Sequence, residues 1–84
     1  MTALFVLDVP ENEGLLRVAA QDRTLTVERL GPYLRVVAPE PDSEIVIDRR
    51  ATGCRHAVWY SAIAGLDNSR IAQHDKDALR VVAC

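Results

Sequence analysis

The chain has 84 residues, of which 49% are hydrophobic and 26% charged, the balance of a folded domain and not of a disordered segment. This length predicts a single domain over residues 1–84. The formal net charge is −2. Because its arginines and its one lysine are spread along the chain without a dense basic stripe, we expect no nucleic-acid partner.

The first apolar segment is short. Residues 3–7 are apolar, no basic residue precedes them, and Asp8 follows directly. Such a run is shorter than the hydrophobic region of a signal peptide or a membrane span. We therefore expect a cytoplasmic protein with no membrane partner, in which Cys54 and Cys84 stay reduced.

The chain begins with a predicted strand and helix. Residues 3–8 form an apolar run on both alternating faces, which indicates a strand buried at the centre of a sheet. Residues 11–21 place Leu15 and Val18 at helical spacing, which predicts a helix. Asp8 is positioned to accept hydrogen bonds from the first backbone amides of this helix.

The following segments alternate with a period of two. This pattern predicts strands over residues 24–28, 33–38 and 44–48, the first two joined by a Gly-Pro turn. Residues 39–43 contain two prolines, which lack an amide donor, and are therefore predicted to form a loop.

The second half contains one ambiguous segment. Residues 55–64 are rich in β-branched and aromatic side chains, which favours a strand, but their apolar positions also fit helical spacing. Residues 65–68 are predicted to form a turn. Residues 70–73 and 78–82 are predicted to form a closing hairpin.

Together these elements predict an α+β fold: a two-layer single domain of β-α-β-β units, with a mostly antiparallel sheet and one main helix across it. The predicted buried side chains are Leu4, Val6, Leu15, Val18, Leu25, Val27, Val36 and Ile47.

Neither metal binding nor catalysis is indicated by residue spacing. Cys54, His56, His74 and Cys84 have the right chemistry for zinc, but their spacing is not that of a zinc finger. Ser61 is not within the G-x-S-x-G motif of a hydrolase. We therefore expect no enzymatic activity, no metal and no cofactor.

Two clusters are typical of contact surfaces. Arg49 and Arg50, with Arg55 nearby, follow a predicted strand, and arginine suits paired recognition of carboxylates, although such a pattern more often forms a solvated basic rim. Trp59 and Tyr60 are adjacent, so one ring is expected in the core and the other at the surface if the segment is a strand. The pattern is equally compatible with both rings packed in the core.

The order of segments resembles a known family. The segments that carry the resemblance are Leu4-Phe5-Val6-Leu7-Asp8 with Glu11-Asn12-Glu13, then Thr26-Val27-Glu28 through Tyr33-Leu34-Arg35-Val36, then Glu44 to Arg50, then Ser61-Ala62-Ile63-Ala64-Gly65, and last Arg70-Ile71 with Asp75 to Arg80. In this order they resemble the regulatory (effector or coupling) proteins of bacterial multicomponent soluble diiron monooxygenases, of the phenol hydroxylase, toluene and methane monooxygenase types. This chain would be a shortened, divergent member, because residues 51–60 are too few for the helix that the family has there.

The resemblance implies a cofactorless protein of β-α-β-β units that docks on a diiron hydroxylase near its metal site and modulates turnover. The docking residues then expected are Asn12, Glu13, Arg49, Arg50, and one ring of Trp59 and Tyr60. The alternative is a protein-binding or assembly module, antitoxin-like or a homodimeric scaffold, with no link to a monooxygenase.

Overall fold

The computed structural model describes residues 1–84, and its seven strands lie in two antiparallel sheets. The strands are β1 (Thr2–Leu7), β2 (Thr26–Leu30), β3 (Tyr33–Ala38), β4 (Ile45–Asp48), β5 (Ile63–Asp67), β6 (Ser69–His74) and β7 (Ala78–Ala83). The helices are α1 (Glu13–Gln21), which follows a 3-10 turn at Pro10–Asn12, α2 (Arg49–Thr52) and α3 (His56–Ser61). The predicted α+β class is confirmed, although the sequence did not predict the division into two sheets.

The two sheets repeat one topology. In the first sheet the strand order is β2-β3-β1-β5, and in the second it is β6-β7-β4. In both, the first strand of a β-α-β-β unit pairs antiparallel with the third, and the third pairs antiparallel with the second. The exception is β5, which belongs to the second half of the chain but pairs with β1 of the first sheet. This strand therefore ties the two units together.

The predicted central strand is confirmed. β1 lies between β3 and β5, and Leu4 and Val6 are fully buried on its inner face. β3 matches the prediction for residues 33–38, and β6 and β7 form the predicted closing hairpin. These elements share a clear hydrophobic alternation or a strong turn signal, which is why local pattern was sufficient to place them.

The predicted helix is also confirmed, with Leu15 and Ala19 buried, but the prediction that Asp8 caps it is wrong. The 3-10 turn has no side-chain cap, and the Asp8 carboxylate instead pairs with Arg29 on β2. None of the helices is long and apolar enough to cross a membrane.

The ambiguous second half forms a helix followed by a strand. Most of residues 55–64 lie in α3, whereas the turn predicted for residues 65–68 is wrong because Gly65 to Asp67 are part of β5. The chain instead changes sheet at Asn68, whose φ of 50° is in the left-handed region that asparagine tolerates.

One hydrophobic core lies between the elements. Of the predicted buried side chains, only Val18 and Val27 remain partly exposed, and both pack against this core. The second half contributes Trp59, Leu79 and Val81, all fully buried. The core therefore receives side chains from both β-α-β-β units, which makes them one folded body.

Candidate protein-docking surface

Helix α2 is fixed against α1 by a close backbone contact. A Cβ atom at Gly14 would overlap the carbonyl group of Thr52, so only glycine allows this approach. The Arg17 guanidinium on α1 donates hydrogen bonds to Ala51 O at 3.2 Å and to Thr52 O at 3.5 Å. These bonds satisfy carbonyls at the end of α2, which have no partner within a helix of this length.

Both ends of α2 are also capped. At its start, the Asp48 carboxylate accepts a hydrogen bond from Ala51 N at 3.2 Å. At its end, Gly53 adopts a φ of 70°, and Cys54 N donates to Thr52 Oγ1 at 3.1 Å. A helix of only four residues is thereby held in a defined position.

The turn between β6 and β7 is clamped against α2 and α3 through three consecutive carbonyls. Trp59 Nε1 donates to Asp75 O at 2.6 Å, Arg49 Nε donates to Lys76 O, and Arg49 N donates to Asp77 O at 3.0 Å. Within the turn, the Asp75 carboxylate accepts hydrogen bonds from Ala78 N and Asp77 N, which lower its pKa from the ordinary 3.8. The clamp therefore fixes helices and turn as one unit.

An aromatic row lies on α3 beside this turn. The ring of Tyr60 is 6.3 Å from that of His56 and 5.2 Å from that of His74. His74 Nε2 lies 3.1 Å from Trp59 O, and the Trp59 ring meets the His74 ring edge-on at 5.5 Å. Tyr60 is 49% exposed, so this row presents an aromatic face to solvent.

Two arginines, one in α2 and one at the start of α3, have no counter-ions. Arg29, Arg35 and Arg80 each form an ion pair with a carboxylate. Arg50 and Arg55, in contrast, are exposed and form none. No acidic residue occurs between positions 49 and 66. We call Arg50, Arg55, His56 and Tyr60 together the α2–α3 surface.

Three of the six predicted docking residues have internal roles. Asn12 is only 6% exposed and donates to Leu7 O at 2.9 Å, and Trp59 is fully buried. Arg49 is half-buried and bonded to the β6–β7 turn and to Cys54 O at 3.4 Å. For Asn12 and Arg49 the expectation of free side chains at element ends is therefore wrong, because both satisfy backbone carbonyls. The burial of Trp59 agrees with the expectation that only one of the two adjacent rings is at the surface.

The other three predicted residues are exposed. Arg50 and Tyr60 lie on the α2–α3 surface, whereas Glu13 lines a separate groove of about 510 Å³ beside α1. Arg55, which the sequence places near Arg49 and Arg50, and His56 were not among the docking residues expected from the sequence. The absence of acidic residues between positions 49 and 66 is the signal that could have identified them.

The chemistry available at this surface is that of recognition. Arginine guanidinium groups donate paired hydrogen bonds to carboxylates, and an exposed tyrosine ring adds contact area with a polar tip. Ser61 Oγ donates to Ala57 O at 2.8 Å within its own helix, and Cys54 is buried while Cys84 is exposed, both as free thiols. No three His, Cys, Asp or Glu side chains are grouped so as to hold a metal ion.

Comparisons with known proteins add no relative: no family model, no curated protein and no solved structure matches the chain. The α2–α3 surface is therefore defined by the contacts and charges of this chain alone. The resemblance to diiron monooxygenase effectors correspondingly rests on the segments quoted for it.

Proposed function

We propose that this protein is a non-catalytic cytoplasmic effector that binds a partner protein through the α2–α3 surface and modulates the partner's activity. The partner that the sequence resemblance suggests is the hydroxylase component of a bacterial diiron monooxygenase. A protein without a cofactor changes a catalyst only by binding one of its conformations more tightly than another.

The observation that carries this proposal is the pair of unpaired arginines on a rigid support. Arg50 and Arg55 have no carboxylate partner, while Arg49, the first residue of α2, anchors the β6–β7 turn. Because the supporting contacts exist before binding, little further ordering is required when a partner docks. Tyr60 of α3 is exposed and is a residue type enriched at the energetic centres of interfaces.

The duplicated β-α-β-β topology supports a diiron hydroxylase as the partner. The resemblance implies a fold of such units, and the chain contains two of them with the same strand order. Because one topology can serve many functions, the fold by itself supports only the class of partner. The proposal that this protein binds a partner rests on the α2–α3 surface.

The test is a titration of the hydroxylase encoded in the same gene neighbourhood, with turnover and binding as readouts. Wild type should change the turnover rate and should turn over no substrate alone. The double variant Arg50→Ala and Arg55→Ala should weaken the complex, because truncating a buried interfacial charge pair costs about 2–5 kcal/mol.

Arg23→Ala is the matched control. Arg23 is exposed, forms no ion pair and lies in the loop after α1, so the same residue type is lost away from the surface. Wild-type binding by this control shows that position, and not overall charge, determines affinity. Identical hydroxylase turnover with and without wild-type protein would contradict the effector function, and a toxin or nuclease in the gene neighbourhood would favour the antitoxin-like alternative.

A further inference from the structure

Asn68 is the only residue between two strands that lie in different sheets. β5 ends at Asp67 in the first sheet, and β6 begins at Ser69 in the second. The other passage between the sheets without an intervening helix joins β3 to β4 and has six residues, 39–44. A connection of one residue has only the φ and ψ angles of that residue to adjust. The relative direction of β5 and β6 therefore depends on the backbone conformation of Asn68.

This backbone conformation is unfavourable for most residues that have a side chain. The φ of Asn68 is 50°, in the left-handed region, whereas strand residues are extended with a negative φ. Asparagine tolerates the left-handed region better than most residues do, and β-branched residues adopt it only as outliers. With an extended Asn68, residues 63–74 would form one continuous strand.

Hydrogen bonds of the neighbouring residues favour the bend. The buried Ser69 hydroxyl donates to Asp67 O at 2.7 Å, across the bend, and accepts from Ala3 N of β1 at 3.0 Å. Asn68 O accepts from Cys84 N at 3.0 Å. The conformation of the junction is thus a balance between these bonds, which favour the bend, and the left-handed φ, which opposes it.

The segment after Asn68 is a hairpin with its own internal pairing. β6 and β7 pair with each other, and β4 is the one other strand that pairs with either of them. Trp59 and Arg49 hold the turn of the hairpin through its carbonyl oxygens. Each of these contacts joins a residue before position 68 to a residue after it. A second copy of the chain offers the same partners, so the same contacts can form between two copies.

Only a second copy fits the place that the hairpin occupies. Leu79 and Val81 of β7 are fully buried in the core, so the hairpin cannot leave without being replaced. Arg80 of the same strand forms an ion pair with Glu44 at 2.8 Å. A foreign strand would have to reproduce this packing, register and charge, whereas another copy of this chain has all three by identity.

We propose that Asn68 is a hinge through which two copies of this chain exchange their β6–β7 hairpins and form a dimer. In the dimer Asn68 is extended, and β7 of each copy pairs with β4 of the other. Monomer and dimer share the contacts of the core and differ at the hinge, so the backbone preference of residue 68 sets the equilibrium between them. This self-association is separate from the partner binding proposed above, and its test requires no partner.

Sedimentation velocity over a range of concentrations measures this equilibrium, after incubation just below the melting temperature so that hairpins exchange. Wild type should contain a dimer fraction that increases with concentration. Asn68→Val should lower the dimer dissociation constant about a hundredfold, because each of the two hinges contributes about tenfold. Asn68→Ala should act in the same direction, and its small side chain at this exposed position provides a folded variant if valine does not. Asn68→Gly adopts the left-handed region freely and should shift the equilibrium towards monomer.

Asp42→Val is the matched control. Asp42 is exposed and is the one other non-glycine residue with a positive φ, at 60°, but it lies in the loop between β3 and β4. Its replacement imposes the same backbone penalty away from the hinge. The variant should melt lower than wild type and have a similar dimer dissociation constant. Equal gains of dimer by Asp42→Val and Asn68→Val would overturn the inference, because general destabilisation would then drive association.

A cross-link distinguishes hairpin exchange from ordinary association. Val46 of β4 and Arg80 of β7 are exposed and directly opposite each other. The double variant Val46→Cys and Arg80→Cys, with Cys84→Ser to remove the exposed thiol, allows a disulfide between the two strands. This disulfide closes within one chain in the monomer, but it should join two chains in the dimer isolated by gel filtration.

The oxidised dimer should therefore migrate at twice the mass of one chain on a denaturing gel without reductant, and the oxidised monomer at the mass of one chain. A dimer that yields only single chains on this gel would be an ordinary association and would overturn the inference. Absence of a wild-type dimer at every concentration would overturn it as well.

Discussion

Gly14 of α1 lies directly against the main chain of Thr52 in α2, with no space between them for a β-carbon. The atom in the way is a backbone carbonyl oxygen, which cannot turn aside as a flexible side chain would. The position of α2, and with it Arg50, therefore depends on one missing methyl group in α1.

This contact predicts a reversal of ordinary helix preference. Gly14→Ala should destabilise the protein by about 1–3 kcal/mol through overpacking, although alanine is normally favoured within helices by about 1 kcal/mol. Ala20→Gly, at an exposed position of the same helix, should cost about 1 kcal/mol for the opposite reason. Urea unfolding of both variants measures the two values. A Gly14→Ala protein more stable than wild type would contradict the contact.

Substitution of Arg49 and substitution of Arg50 should change the free energy of unfolding by different amounts, although the two arginines are adjacent. Arg49→Ala removes hydrogen bonds to Lys76 O and Cys54 O, and bonds from charged donors contribute about 1.5–3 kcal/mol. Arg50→Ala removes no internal contact and should change the free energy of unfolding by no more than about 0.5 kcal/mol. Denaturant unfolding of the two single variants checks this, and equal losses would show that the clamp does not depend on Arg49.

Trp59→Phe tests the other half of the clamp. Loss of the Nε1 donor leaves Asp75 O without that partner, which costs about 1–3 kcal/mol, and the smaller ring adds a packing loss. Tyr60→Phe, at the neighbouring exposed position, should be within about 0.5 kcal/mol of wild type. Unfolding followed by circular dichroism suits both variants, because it does not depend on the single tryptophan. A neutral effect of Trp59→Phe would show that the indole hydrogen bond does not hold the turn.

The depressed pKa of Asp75 predicts a defined dependence of stability on pH. Hydrogen bonds from Ala78 N and Asp77 N favour the ionised carboxylate in the folded state, so the folded pKa is below the ordinary 3.8. The resulting stabilisation is fully present above 3.8 and is lost as the pH falls through the folded pKa. Asp75→Ala should therefore melt lower than wild type at neutral pH, and the difference should shrink in strong acid.

Asp77→Ala is the control for this pH dependence. It removes the same charge from the same turn, but the Asp77 carboxylate contacts only the exposed Lys76, at 3.4 Å. Its melting temperature should stay near that of wild type across the pH range, since exposed ion pairs contribute little. A gap between Asp75→Ala and wild type that stays constant with pH would rule out ionisation as the source of the stabilisation.

Local pattern was sufficient for several elements. Residues 33–38 place Leu34 and Val36 on one face, and the β6–β7 hairpin has turn residues at positions 74–77. Helix α1 has the helical spacing of Leu15 and Ala19. The sequence also predicted that one ring of Trp59 and Tyr60 is buried and the other exposed, but it placed them on a strand. A helix separates adjacent side chains as well, so the buried and exposed rings are found on α3.

The sequence by itself determined the fold class, the central strand and most of the core, because hydrophobic periodicity is a property of neighbouring residues. Only the tertiary structure decided what depends on distant partners. β5 is a strand because β1, far earlier in the chain, pairs with it, and residues 56–61 form a helix that places Trp59 Nε1 on Asp75 O. Long-range contacts likewise direct the half-buried Arg49 side chain onto the β6–β7 turn, since that turn and α2 meet only after folding.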